Sequence, residues 1–406
     1  MGRVAREVGH GVFVLALILL CDHPALAAPG EGAATSDADS SPPTVRSRRK
    51  PPETAPATGE QAPSEAEERG VRWIPLPAIS YTPETSLLLG AVSIFTFHLV
   101  EPPPNAIEQL RRSSLQLLAA FTLRRQYLAS AKPVLYFDGN EWQLKGFWQA
   151  QWFPDTFWGI GNDMPESADE DFTARHFGAE TMLNRRIVSD LRFGAMTDVR
   201  DRRIVRHETG GLIDTDTVPG SDGSRLVGIG PTLIWDGRDT DFSTRRGGRY
   251  ELTSVFYSSA LGSEYGFASL VLDLRQFVPL WGAHVFAAQL YAKVVTDGAP
   301  FTALALLGGA ERMRGFYEGR YRDRQMVETQ IEYRLPLIGP LGAALFVGAG
   351  DVAPRMDAYQ WRDIKVAGGS GLRLELESRE HVSARLDAAA TNRGHFNVYV
   401  ELNEAF

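Results

Sequence analysis

Apolar and polar side chains alternate at every second position along most of this chain, and this pattern constrains its fold more than any other feature. The alternation begins at Trp73. Within Trp142–Phe153, for example, the even positions carry Trp, Leu, Gly and Ala, whereas Gln and Lys occur at odd positions. A period of two places successive side chains on opposite faces of a β-strand. The sequence therefore predicts an all-β fold with almost no helix.

The length and polarity of these segments separate a membrane barrel from a soluble sheet. Several segments reach about ten residues or more, close to the ~9–11 residues of a tilted strand that crosses a bilayer and well above the ~5–6 of an average globular strand. Charged side chains recur on one parity, as in Gln325–Leu335 and Ile364–Glu377, which is typical of a barrel with a polar interior. We count sixteen such segments between residues 73 and 405. They predict a 16-stranded antiparallel transmembrane β-barrel.

The longest connections predict how this barrel is oriented. If the N-terminus is periplasmic, connections after odd-numbered strands face outward, and outer-membrane barrels have long external loops and short periplasmic turns. The four longest connections all follow odd-numbered strands: 154–170, 201–224, 296–324 and 351–364. Connections 100–112 and 237–248 are longer than expected for the predicted periplasmic end.

An even number of strands also returns the C-terminus to the periplasmic side. Phe406 then ends the last alternating segment, and a terminal aromatic residue in that position is predicted to be the insertion signal of an exported barrel. Glu404 interrupts the apolar parity two residues earlier.

Residues 1–28 are predicted to be a secretory signal peptide. Arg3 and Arg6 form a positive n-region, Val12–Leu20 is a short apolar h-region, and Ala25-Leu26-Ala27 offers a cleavage site. This order of features is typical of export signals. The apolar run is too short for a retained transmembrane helix.

Residues 29–70 are predicted to be a disordered linker, because they are rich in Pro and charged residues and contain no aromatic residue. Such a segment cannot bury enough apolar surface to offset the entropy lost on ordering it. All aromatic residues except Phe13 lie in residues 71–406, which we assign to the outer-membrane β-barrel. The basic run Arg46–Lys50 could contact anionic lipid or a periplasmic partner, although a solvated run is the simpler interpretation.

Composition and motifs exclude several other classes of protein. The formal net charge of −8 argues against nucleic acid as a partner. The single cysteine, Cys21, excludes a disulfide framework and a cysteine-based metal site. The histidines lack metal-ligand spacing, and neither G-x-S-x-G nor H-E-x-x-H occurs. We therefore predict no enzyme, no catalytic residue, no cofactor and no metal; a barrel phospholipase that uses Ser and His is the enzyme alternative.

The segment Met313-Arg314-Gly315-Phe316 lies in connection 296–324. It resembles the V/I-R-G-F/Y motif in the inward-folded sixth external loop of the BamA/TamA-type bacterial surface antigen barrels. The similarity covers residues 73–406 and includes the segments 157–163, 235–252 and 327–337. It implies a barrel of the bacterial outer membrane whose sixth loop folds into the lumen. Gly315 would then allow a tight reversal of the backbone, and Phe316 would pack the loop tip.

The resemblance also implies how this loop is held. In the family, the loop arginine points into the lumen and is bound by acids on neighbouring strands, so that Arg314 and Glu332 carry over to this chain. The second acid of the family lies in an F-x-D-x-G-x-V pattern, where this sequence has Gly348. A guanidinium in a partly desolvated lumen still needs a partner. The candidate partners are Glu332, Glu328 and Glu375.

The resemblance indicates function only in outline. Family members help proteins or lipids to enter or cross the outer membrane, and they carry periplasmic polypeptide-transport-associated domains before the barrel. Here residues 29–70 precede the predicted barrel, so a partner protein would have to supply those domains. A loop-gated diffusion or transport pore and a structural or adhesion barrel are the alternatives. The expected partners are outer-membrane lipid and a periplasmic protein or client polypeptide, with the barrel itself monomeric.

Overall fold

The computed structural model of this chain describes residues 70–99, 111–240, 243–377 and 382–406. The predicted signal peptide, with Cys21, and the predicted linker up to residue 69 lie outside these described residues. Within the described ranges, no helix is long and apolar enough to cross a membrane.

Sixteen strands form the wall of the molecule. Their bounds are β1 Arg72–Thr82, β2 Ser86–Phe97, β3 Ser113–Thr122, β4 Tyr127–Phe137, β5 Trp142–Phe157, β6 Glu170–Val188, β7 Leu191–His207, β8 Gly223–Asp236, β9 Gly247–Tyr257, β10 Phe267–Pro279, β11 Val285–Val295, β14 Gln325–Pro336, β15 Leu341–Ala353, β16 Lys365–Glu377, β17 Val382–Thr391 and β18 Phe396–Leu402. Two short strands, β12 Ala305–Leu307 and β13 Tyr321–Asp323, pair with each other inside the connection between β11 and β14. The described helical structure consists of single 3₁₀ turns at Glu166–Ala168, Ser259–Leu261, Phe301–Ala303, Met356–Ala358 and Trp361–Asp363.

The wall strands pair antiparallel in sequence order, and β18 closes the barrel onto β1. β11 pairs directly with β14, so the β12–β13 hairpin is not part of the wall. The predicted 16-stranded antiparallel β-barrel is therefore confirmed. Closure suits a membrane, because hydrocarbon offers no hydrogen-bond partner to an open sheet edge.

The alternation separates a lipid-facing surface from a lumen. On β14, Glu328, Gln330, Glu332 and Arg334 are buried, whereas Ile331 between them is 42% exposed. Large apolar side chains are exposed on the outer parity around the wall, among them Leu117, Phe177, Phe193, Leu252, Leu345 and Leu386. Polar side chains therefore meet inside the barrel. Each of them needs a partner there, because an unpaired charge away from water is costly.

The long connections follow β5, β7, β11 and β15, as the sequence predicts, and lie at one end of the barrel. β5 and β7 extend further toward this end than their predicted ranges, 141–153 and 190–200. Beyond these ranges, charged residues occupy both parities, as in Asp201–His207. The apolar alternation that marks a strand is lost there, so the sequence gives no signal that the strand continues.

The end of the chain differs from the prediction. β18 ends at Leu402, and Asn403 adopts a left-handed conformation (φ 64°) that turns the chain away from the wall. Phe406 is buried against Phe277, with their ring centres 6.1 Å apart. The expectation that Phe406 ends an alternating last strand is therefore wrong in the folded barrel. Its role as an insertion signal stays a prediction.

Candidate functional site

The connection of residues 296–324, called the lumenal loop below, packs against the inner side of the wall. Met313, Phe316 and Tyr321 form one buried cluster with Met326 of β14 and Val352 of β15. The loop begins with a second apolar cluster at the end that carries the long connections, where Ala299, Phe301 and Leu304 pack against Phe157, Phe172 and Ile213. Burial of apolar side chains therefore holds the lumenal loop at two places, at its beginning and at its segment from Met313 to Tyr321.

Arg314 is the centre of the candidate site. Its side chain is fully buried and bridges two carboxylates: one guanidinium nitrogen lies 2.7 Å from Glu332 Oε2 on β14 and the other lies 2.7 Å from Asp387 Oδ2 on β17. The guanidinium carbon also lies 3.5 Å from the centre of the Phe346 ring on β15. Ion pairs and an aromatic face together replace the water that a guanidinium loses in a buried position.

The three predicted partners of Arg314 have three different positions. Glu332 binds Arg314, as the sequence indicates. Glu328 does not: it binds Arg312 (2.9 Å from Nε to Oε2) and accepts a hydrogen bond from the Gly308 N–H. Glu375 is exposed on β16 and is not among the hydrogen-bond partners of Arg314. Parity alone could not rank these acids, because it gives the face of a residue and not its height along the barrel.

Sequence reasoning missed Asp387, the second partner of Arg314. Asp387 follows Arg385 on β17, within a segment otherwise dominated by Ala. The sequence did offer one signal for this role: Arg385 and Asp387 are opposite charges that share the lumenal parity of a strand made mostly of small residues. The Arg385 guanidinium binds Asp387 Oδ2 at 2.8 Å and donates to the Ala310 carbonyl of the lumenal loop at 3.0 Å.

Packing around Gly348 explains why the second acid is displaced. A Cβ atom at Gly348 would lie 3.0 Å from the Met313 sulfur, closer than ordinary van der Waals contact. Met313 therefore occupies the space that a side chain at position 348 would need. The second carboxylate comes instead from β17, two strands further around the wall.

The tip of the loop is bound to β18. Gly315 has φ 115°, a conformation that side chains other than glycine rarely adopt, and a Cβ there would lie 2.8 Å from Thr391 Cγ2. Its N–H donates to Tyr399 Oη at 2.8 Å, and its carbonyl accepts from Asn397 Nδ2 at 2.7 Å. Phe316 is buried and packs edge-on against Tyr321. Gly315 thus makes the expected tight reversal, and the reversal brings the tip to the last strand.

Six of the charged side chains around Arg314 form a ring, called the ion ring below, and Arg385 joins it at Asp387. The members of the ring are Arg314, Glu332, Arg334, Glu404, Arg373 and Asp387. Arginines and acids alternate around it, so its formal charges balance. Arg334 also donates to the Phe406 carbonyl at 3.0 Å. The ion ring therefore joins the lumenal loop to the inward-turned end of the chain, and attraction to these arginines explains why Glu404 leaves the wall.

Further contacts join the lumenal loop to the connection after β5, which contains the segment 157–163. The Gly161 N–H donates to the Arg322 carbonyl at 2.8 Å, and Arg320 pairs with Glu166 at 3.0 Å. The Tyr317 hydroxyl donates to Asp155 Oδ1 at 2.8 Å. Burial and this carboxylate raise the pKa of the Tyr317 hydroxyl, which therefore remains a donor.

The opposite half of the lumen is not filled by the loop. A cavity of about 260 Å³ lies there, and its charged lining residues include Glu180, Asp198, Arg200, Asp273 and Lys293. In the part of the chain that the structure describes, no group of three or more His, Cys, Asp or Glu side chains could hold a metal ion. The contacts described above form a network of ion pairs and packing contacts that positions a loop.

These features define a class of protein: an outer-membrane β-barrel with a loop anchored inside its lumen. The Omp85 superfamily domain matches residues 118–388, and this chain belongs to the Omp85 superfamily. Its place is the bacterial outer membrane. Comparison with curated proteins found no match.

Solved structures are similar in fold at low sequence identity. BamA from Haemophilus ducreyi lacking POTRA domains 1–3 superposes with a TM-score of 0.55 at 12% identity, over 82% of this chain and 70% of that one. CdiB from Acinetobacter baumannii gives 0.53 at 11%, over 82% and 59%. CdiB from Escherichia coli gives 0.50 at 12%, over 82% and 63%. This chain thus spans less than two thirds of the length of either CdiB structure.

Proposed function

We propose that this barrel helps polypeptides enter or cross the outer membrane, and that its working part is the seam where β1 meets β18. The seam is the observation that carries the proposal. β1 and β2 pair along their whole length, from Arg72↔Thr96 to Thr82↔Ser86, whereas β1 and β18 meet at one paired position, Tyr81↔Val400. One side-chain hydrogen bond, from Ser80 Oγ to Glu401 at 2.7 Å, adds to it.

The geometry leaves part of β1 without a strand beside it. β18 is seven residues long and ends at Leu402, whereas β1 is eleven residues long, so residues 72–78 extend past the end of β18. Backbone groups at such an edge have no partner in hydrocarbon, and each unsatisfied group costs several kcal/mol there. Pairing with an incoming strand would satisfy them, which is how this edge would assist insertion.

Two prolines lie in this part of β1. Pro75 and Pro77 have the same parity, so their missing N–H groups lie on the same edge of the strand. Because β2 pairs along the other edge, prolines are tolerated on the side that faces the seam. Over residues 72–78, the edge of β1 that faces the seam therefore offers mainly backbone carbonyl acceptors. This arrangement limits permanent pairing at the seam while leaving an edge that a client strand can join.

The seam can be tested by locking it. Tyr81→Cys and Val400→Cys, on a Cys21→Ser background, would join β1 to β18 at their paired position. The control is Thr329→Cys with Ala349→Cys, which joins β14 to β15 at a paired position of a continuous register. We expect the seam disulfide to abolish acceleration of client-barrel folding in liposomes that contain this protein. Reduction should restore it, and the control disulfide should have no effect.

In this folding assay the client is an unfolded outer-membrane barrel, and the mobility of the unheated client on a gel shows whether it has folded. Equal acceleration by the locked and reduced seam variants would contradict the proposal.

The second candidate function, a loop-gated pore, is favoured by the open cavity of about 260 Å³ in the lumen. High single-channel conductance together with no acceleration of client folding would support the pore instead.

A further inference from the structure

The outer surface of β3 to β7 carries an organised patch that neither the lumenal loop nor the seam uses. Three rows of outward-facing residues run across these five strands, each row defined by paired positions. The girdle row, nearest the end with the long connections, is Phe121, Tyr127, Trp152, Arg175 and Arg203. The hollow row beneath it is Ala119, Ala129, Ala150, Phe177 and Asp201. The lower row is Leu117, Ala131, Trp148, Ala179 and Val199.

The hollow row forms a depression in the lipid-facing wall. Three adjacent strands each contribute an alanine, between large side chains of the girdle row above and Leu117 and Trp148 below. The depression has a volume of about 580 Å³, and its other lining residues include Phe177 and Val199. Small side chains flanked by large ones leave room for a group from outside the protein. The lining is mainly apolar, with Ser130, Gln149 and Asp201 as its polar members, and apolar surface suits acyl chains.

The position of Trp148 keeps this depression open. Its indole N–H donates to Thr181 Oγ1 at 3.0 Å, which directs the ring away from Ala150. The ring lies over Gly146, where a Cβ would be 3.0 Å from the indole nitrogen. Gly146 therefore gives Trp148 the space to lie below the depression and not across it.

The girdle row brings two arginines together above the depression. Arg175 and Arg203 are directly opposite each other on β6 and β7, an arrangement that is unfavourable for like charges unless an anion joins them. Arg203 lies 3.7 Å from Asp201, and Arg225 is the cross-strand partner of that same acid. Asp201 therefore lies beside Arg203 and Arg225, whereas Arg175 lies opposite Trp152 and Arg203 and 5.9 Å from the centre of the Phe177 ring. The next acids along the wall, Asp171 and Glu264, accept hydrogen bonds from Thr156 Oγ1 and from the Arg225 N–H.

We propose that this patch is a binding site for a phosphorylated lipid of the outer leaflet. The acyl chains occupy the alanine-floored depression, and the phosphate lies between Arg175 and Arg203. Guanidinium groups match phosphate oxygens in charge and geometry. The outer leaflet is assigned because the arginines lie toward the end with the long connections, which is extracellular in bacterial barrels. The site is independent of the seam and of the function proposed for it.

Bromine atoms on acyl chains quench tryptophan fluorescence on contact, and Trp148 borders the depression. The folded barrel in uncharged detergent is titrated with brominated phosphatidic acid or brominated phosphatidylcholine, and the Trp148 signal is the difference between the wild type and Trp148→Phe. We expect half-quenching at an about tenfold lower mole fraction of the phosphatidic acid, the factor given by one charge-assisted contact.

Three variants test the two parts of the site. Arg175→Gln/Arg203→Gln should abolish the preference for phosphatidic acid. Arg185→Gln/Arg186→Gln, the same charge change at the other end of β6, should retain it. Ala150→Leu fills the depression and should reduce quenching by both lipids while gel mobility stays that of a folded barrel. Equal quenching of the wild type by the two lipids, or an unchanged preference in Arg175→Gln/Arg203→Gln, would overturn the proposal.

Discussion

The wall from β14 to β17 and the seam between β18 and β1 are adjacent in this barrel but are stabilised in different ways. Along β14 to β17 the strands pair over nine or more positions each, and the ion ring adds charge-assisted contacts on the inner face. At the seam, one paired position and one side-chain hydrogen bond join the strands. The fold thus combines a strongly cross-linked region with a weakly paired one.

This difference indicates how the molecule divides its roles. Buried ion pairs are geometrically demanding, so they hold the lumenal loop in one position and not in many. A weakly paired seam can open at low cost. Tyr399 connects the two regions, because it lies on β18 and accepts a hydrogen bond from the Gly315 N–H at the loop tip.

The largest effect is expected for Arg314→Ala. This change removes the two buried charge-assisted hydrogen bonds from Arg314 to Glu332 and Asp387, each worth about 1.5–3 kcal/mol. The two acids keep Arg334, Arg373 and Arg385 as partners. We expect a lower free energy of unfolding in urea and a higher single-channel conductance, because the loop is released. The cross-linking rate of the Tyr81→Cys/Val400→Cys pair should rise as well, because a released loop no longer donates the Gly315 N–H to Tyr399. Arg314→Lys should rescue poorly, since an ammonium lacks the bidentate fork.

Arg355→Ala is the matched control, because Arg355 pairs with Asp357 on the exposed surface. If both variants unfold at the same urea concentration, the buried pairs do not stabilise the fold. Two double variants, Arg314→Ala/Asp387→Ala and Arg314→Ala/Glu328→Ala, show which acid is energetically coupled to Arg314. We expect the two effects to be non-additive in the first pair and additive in the second, since Glu328 binds Arg312.

Glu404→Gln should have the next largest effect. It removes the charge that holds the end of the chain to Arg373 at 2.8 Å, and a hydrogen bond to a charged group is worth about 1.5–3 kcal/mol. Phe406 should then become more accessible, which limited digestion with carboxypeptidase measures. Glu375→Gln is the control, because Glu375 is an exposed acid of β16 that lies outside the ion ring. Equal digestion of both variants would show that the ion ring does not hold this end.

Gly348→Asp tests the packing explanation for the displaced acid. The new side chain meets the Met313 sulfur, and overpacking of a buried position costs about 1–3 kcal/mol. We expect a lower midpoint of unfolding in urea. Combining it with Met313→Ala should recover part of that loss. No recovery would mean that Met313 is not what excludes a side chain at position 348.

The smallest effect is expected for Tyr399→Phe, which removes one neutral hydrogen bond worth about 1 kcal/mol. This variant tests whether the hydrogen bond from the loop tip to β18 stabilises the seam. We expect faster thiol cross-linking or exchange at the Tyr81→Cys/Val400→Cys seam pair, because β18 loses its contact with the loop. Tyr127→Phe, at an exposed tyrosine, should leave this rate unchanged. A seam rate in Tyr399→Phe equal to that of the wild type would show that the loop does not brace β18.

Much of the architecture could be predicted, because strand alternation is a local property of the sequence. The sixteen strands follow from parity and the end with the long connections from connection lengths, whereas the pairing of Arg314 with Glu332 is what the family resemblance of the loop motif implies. Phe406 and Asp387 could not be placed in this way. The turn at Asn403 depends on arginines from β14 and β16, and the partnership of Asp387 with Arg314 depends on strands far apart in the chain.

The sequence by itself determined which side chains face lipid and which face the lumen, because a period of two leaves no choice once one face must be apolar. Only the tertiary structure decided which charges meet inside. Closure of the barrel sets the height and spacing of strands that are distant in sequence. It thereby brings the Arg314 of one loop, the Asp387 of another strand and the Glu404 near the chain end into one ring. Buried charges pair by distance in space, and sequence parity carries no information about that distance.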